Sequence, residues 1–127
     1  MARQYPLLEF PFTVGATPIT AAGIQVKMDA SGNVVPCVAS TDQMIGVAQE
    51  PGLIGQQINV IVGGIAAVLT GAGGLTPGAL VTSDASGNGV PAAPGAGVNA
   101  FTLGYALEVA AVGAYCGVLI SQSRPQG

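Results

Sequence analysis

Apolar and polar residues follow one another in short runs along this chain, and no ten-residue stretch settles into the spacing of a capped helix. The runs IQVKM and ALVTS are short β-type segments. MIGVAQ and TLGYALEV follow them, and QINVIV and YCGVLI are the most apolar stretches. IAAVL reads as a further strand between the two series. At the N-terminus Leu8, Phe10, Phe12 and Val14 alternate with Glu9, Pro11 and Thr13, which is strand periodicity, while Pro6 and Pro11 keep that strand away from the middle of a sheet. About nine or ten short strands are predicted, an all-β fold of the compact sandwich or barrel kind.

The pattern is written twice. DASGNVVP at Asp29 to Pro36 returns as DASGNGVP at Asp84 to Pro91. Gly23, Val26, Asp29 and Pro36 recur as Gly78, Val81, Asp84 and Pro91 at a separation of 55. After a short insertion Gly46, Ala48, Glu50, Gly55, Val60 and Val62 meet Gly104, Ala106, Glu108, Gly113, Val118 and Ile120 at a separation of 58. Two copies of so long a unit predict two duplicated β modules related by a pseudo-twofold, about 18–69 and 75–121, within a single domain of 18–121. An extended arm at 1–17 precedes them and a polar tail at 122–127 follows.

Asp29 and Asp84 can accept hydrogen bonds from amides two residues on, while Gly32, Asn33, Gly87 and Asn88 tolerate positive φ, so both copies predict a tight hairpin. Pro36 and Pro91 lack an amide proton and place the returning strands at a sheet edge. No charge falls between Glu50 and Asp84, but Gly63, Gly64, Gly71, Gly73, Gly74 and Pro77 interrupt any membrane helix there. Two strands, a turn and a loop are expected instead, and no membrane partner.

Composition sharpens this picture. Charged residues are 7% of the 127, against ~25% in ordinary soluble domains, and 20 are glycine. A surface so neutral repels its copies weakly and favours assembly. The net charge of -3, with Arg3, Lys27 and Arg124 the only cations, excludes a phosphate-binding patch and with it nucleic acid. Cys37 and Cys116 are too few for a disulfide framework or a zinc site and read as buried small hydrophobes. The first twelve residues lack the clean apolar core of a signal peptide, so synthesis and retention in a cytoplasm are expected.

Chemistry is sparse. The Asp-Ala-Ser-Gly-Asn turns lack the alternate carboxylates and twelfth-position Glu of a calcium loop, and GAGG at Gly71 to Gly74 lacks the helix of a dinucleotide site. Glu50 and Glu108 occupy equivalent places, which either pairs them as carboxylates or leaves them as equivalent surface positions. With no histidine and no activated nucleophile, neither enzyme activity nor a cofactor or metal is expected. The N-terminal segment is the better functional candidate: Tyr5, Leu7, Leu8, Phe10 and Phe12 form an aromatic-rich strand able to add to a neighbour's sheet or, equally, to complete its own core.

The order of G-x-x-V, a turn and V-P, then MIGVAQEPGLIGQQINVIVGGIAAV, resembles the capsid cement or head decoration proteins of tailed bacteriophages over roughly residues 15–121. The resemblance implies a β-tulip type fold and homotrimers on the outer capsid surface. It also implies an arm, here Ala2 to Thr17, that reaches across major capsid proteins, and a structural protein without enzymatic activity, made in the host cytoplasm and located in the virion. A second reading is a non-catalytic ligand- or carbohydrate-binding module of a phage tail or fibre. That reading has few aromatic platforms to draw on, since only Phe101, Tyr105 and Tyr115 lie beyond the arm.

Overall fold

The computed structural model describes the backbone of residues 5–92 and 100–123, and the side chains of residues 8–92 and 100–121. Among these the fold is all-β, with nine strands and no helix. The strands are β1 (Tyr5–Thr13), β2 (Gln25–Met28), β3 (Val34–Pro36), β4 (Met44–Ala48), β5 (Gln57–Leu69), β6 (Leu80–Ser83), β7 (Gly89–Pro91), β8 (Thr102–Ala106) and β9 (Tyr115–Ser123). They form one antiparallel sheet curled into a half-barrel, in the order β3-β2-β4-β5-β9-β8-β6-β7, with β1 also laid along β5. The proline-bearing strands β3 and β7 stand at the two ends of that order.

The expected break between QINVIV and IAAVL does not occur: β5 runs unbroken for 13 residues. Gly64 adopts φ 92° within it, a conformation in which a side chain would be strained, and the strand continues through it. Partners on both edges hold it. Ile61 lies between Val47 of β4 and Glu9 of β1, and Ile65 between Leu119 of β9 and Tyr5 of β1. One edge therefore passes from β4 to β9 between Ile61 and Ile65, and the two parts of the chain share a strand.

Backbone pairing recurs along the chain at separations of 55 to 58 residues. Val26↔Pro36, Lys27↔Val35 and Met28↔Val34 match Val81↔Pro91, Thr82↔Val90 and Ser83↔Gly89. Ile19 and Gly52 exchange backbone hydrogen bonds of 2.9 and 3.0 Å, as Leu75 and Ala110 do at 2.8 and 3.0 Å. Val14 N donates to Gln56 O and Thr70 N to Ala114 O. Phe12↔Ile58 and Phe10↔Val60 of β1 are echoed by Val68↔Cys116 and Ala66↔Val118, so β1 stands to the start of β5 as the end of β5 stands to β9.

Two core clusters fill the curl. One belongs to the first half and contains Val14, Ile19, Ile24, Val26, Val34, Ala48, Ile58 and Val60. The other gathers Leu75, Val81, Leu103, Ala106, Cys116 and Val118 from the second half, and it also takes in Cys37, Met44, Val47 and Ile61 from the first. The first half thus contributes apolar side chains from both faces of its sheet.

Candidate interaction surface

The N-terminal strand, expected to lie outside both modules, is hydrogen-bonded to β5 of its own chain from Tyr5 to Thr13. The cause is the alternation itself: Phe12 packs against the first core cluster, with Val14 buried just beyond it. β1 pairs with β5 alone among the described strands, so its other edge is open, and Leu8 and Phe10 remain about half exposed. The side chains of Tyr5 and Leu7 lie outside the described residues. Of the expected tail, Gln122 and Ser123 belong to β9, while residues 124–127 lie outside the description.

Both predicted turns form, and identically. Asp29 Oδ1 accepts the amides of Ser31 at 2.8 Å and Asn33 at 3.0 Å; Asp84 Oδ1 accepts those of Ser86 and Asn88 at the same two distances. Gly32 and Gly87 take φ 81° and 80°, while Asn33 and Asn88 stay at negative φ. Their surroundings differ. Gly87 is buried and its carbonyl accepts the Gln25 amide at 2.9 Å, whereas Gly32 is exposed. Gln25, fully buried, closes the curl by donating its side-chain amide to Thr82 O at 2.9 Å and Asn88 O at 3.2 Å.

Sequence reasoning missed a row of side chains across the second half. Leu80, Tyr105, Leu119 and Ile65 are directly opposed from strand to strand, and Tyr105 and Leu119 are 44% and 42% exposed. The same sheet positions in the first half are Gln25, Val47, Ile61 and Glu9, where the first three are 1% exposed or less. Laying the repeat positions side by side, Val47 against Tyr105 and Ile61 against Leu119, is the signal that flags them. Further exposed apolar side chains, Leu53, Ile54, Val109 and Val112, cap the β4–β5 and β8–β9 loops.

Ser40, Ser83 and Asp84 are among the residues lining a cleft of about 260 Å³, and the chain has no histidine to act as base. Burial pushes the Cys37 thiol up to about 12, the charge of Asp42 adding to the effect, and burial raises the Cys116 thiol as well. Both cysteines are free and neutral at ordinary pH. Glu50 and Glu108 follow β4 and β8, the first exposed and the second half-buried. No group of three metal-binding side chains occurs among the described residues, and no described helix is long and apolar enough to cross a membrane. Neither a protein-family model nor a curated protein matches the chain.

Proposed function

We propose that the chain is a structural virion protein that binds the outer surface of a phage capsid and stabilises it, as a homotrimer contacting the major capsid protein. Its body is read as two duplicated modules of β-tulip type, a reading supported by hydrogen bonds and registers that recur at offsets of 55 to 58 residues. No catalytic step, cofactor, membrane or nucleic acid enters the proposed role. The sparsely charged chain, with its net charge of -3, supports a place outside the shell, away from packaged DNA.

The observation that carries the proposal is β1, which offers an open backbone edge and the half-exposed Leu8 and Phe10. An edge of that kind gains main-chain hydrogen bonds from an added strand and side-chain pockets from the same contact. Tyr5, Leu7, Leu8, Phe10 and Phe12 remain the proposed contact residues toward the capsid or a partner chain, although Phe12 also serves the core. Deleting β1 would leave β5 without a partner along one edge, so a point substitution is the cleaner probe. Leu8→Asp is expected to keep the fold and to lose cosedimentation with undecorated capsids, together with the heat resistance that decoration confers. Full retention of both by a folded variant would falsify the role of β1.

A further inference from the structure

Within one chain the first half is covered by the second on one face only. Gln25, Val47 and Ile61 are buried there. Val47 and Ile61 share a core cluster with Ala66, Val68 and Leu103, and Gln25 is met by the turn through Gly87 and Asn88. The equivalent face of the second half, Leu80, Tyr105 and Leu119, has no such cover among the described residues. What would cover it can be read from the same repeat: the counterparts of Ala66, Val68 and Leu103 are Phe10, Phe12 and Ile45, and the counterpart of the docked turn is Asp29–Asn33. Phe10 is 47% exposed, and so is Met28 beside that turn.

We propose that copies of this chain associate head to tail, the Leu80–Tyr105–Leu119 face of one copy being covered by Phe10, Phe12, Ile45 and the Asp29–Asn33 turn of the next. The contact repeats between chains the packing that already joins the two halves within one. Both surfaces sit on the same molecule but at different places, which makes the contact heterologous, the type that gives a ring where its rotation closes and a filament where it does not. A chain with 7% charged residues opposes such an approach weakly. The inference supplies an interface for the proposed trimer and rests on that reading for ring size alone. Phe10 then faces the next copy, leaving Leu8 and the open edge of β1 to the capsid.

The test is sedimentation of the full chain in solution over a concentration series, with no capsid present. The parent is expected to self-associate. Leu119→Glu, Tyr105→Lys and Phe10→Glu are each expected to remain monomeric at concentrations at least tenfold higher, with unchanged circular dichroism and, at concentrations where the parent too is monomeric, an unchanged melting temperature. Mixing Leu119→Glu with Phe10→Glu should give a one-to-one dimer that grows no further, because each variant keeps one intact face. A parent that stays monomeric, face variants that assemble like the parent, or a mixture that remains monomeric overturns the interface. Capsid binding by a chain that stays monomeric would sink this inference and the homotrimer with it, and leave the proposed capsid binding standing; self-association without capsid binding would leave this inference standing and sink the proposed capsid binding.

Discussion

Asp29–Asn33 and Asp84–Asn88 are spelled alike and fold alike, yet the glycine of one, Gly87, is buried against Gln25 while that of the other, Gly32, is exposed. The carboxylate bonds and the positive φ at glycine are local, so five residues suffice to set them. Burial depends on what lies opposite. An alanine Cβ at Gly87 would stand 2.6 Å from Ile24 Cγ2 and 3.1 Å from Gln25 O, whereas at Gly32 its only neighbour is Met28 Cε at 3.9 Å. A repeat can therefore copy a conformation without copying its surroundings, and the two outer rows differ in the same way.

The largest effect should come from cutting back one member of each row. Ile61→Ala is expected to destabilise the chain by about 2–5 kcal/mol, since the side chain is fully enclosed and its loss leaves a cavity. Leu119→Ala, at the matching position, should cost about 0.5 kcal/mol or less at concentrations where the chain is monomeric. Urea midpoints of the two variants give the comparison. Equal losses would mean that the outer faces of the two halves are covered alike, against the packing described above.

The turns offer the next test. Gly32→Ala should cost about 1–2 kcal/mol, the penalty of a side chain at positive φ. Gly87→Ala carries the same penalty plus the overlap with Ile24, about 1–3 kcal/mol more. The melting temperature of Gly87→Ala should therefore fall further than that of Gly32→Ala. Matching shifts would show that the Gly87 turn yields easily and that its docking on β2 contributes little.

Much of this fold is legible in the sequence because it is local. Alternation marks the strands, the Asp-Ala-Ser-Gly-Asn spelling marks both turns, and Pro36 and Pro91 mark the sheet ends. What stays hidden is set by partners far along the chain. Phe10 and Phe12 share no identity with Ala66 and Val68, so nothing in their spelling makes β1 the equivalent of the end of β5. Only the ladder to Val60 and Ile58 on one side, and to Val118 and Cys116 on the other, relates them. Gly63 and Gly64 look like a stop because glycine weakens an isolated strand, yet pairing on both edges carries β5 through them. The exposed row at Tyr105 and Leu119 escapes notice for a similar reason: its residues look apolar enough for a core, and only the identity of the opposing surface decides whether they are in one.

The smallest expected effect concerns how each half fastens its β2 or β6 strand to the segment that follows. In the first half Lys27 Nζ lies 3.0 Å from Asp42 Oδ1, and Asp42 Oδ2 accepts the Val38 amide at 2.8 Å. In the second half Thr82, at the position matching Lys27, donates its hydroxyl to Phe101 O at 2.7 Å. Only the first arrangement carries charge, so only it can respond to acid. Burial alone would raise the Asp42 carboxyl, but the Val38 amide and the Lys27 ammonium outweigh it and hold the group below its ordinary value of 3.8. A carboxyl lowered by folding adds stability that is complete above its unfolded value and is lost as pH falls through its folded one. Asp42→Asn should therefore lose less stability than the parent between pH 5 and pH 2, by up to about 1 kcal/mol, the range for a partly exposed pair. Urea midpoints across that span measure the difference. Parallel losses in parent and variant would assign the acid sensitivity to other carboxylates and reduce the ion pair to a contact without energetic weight.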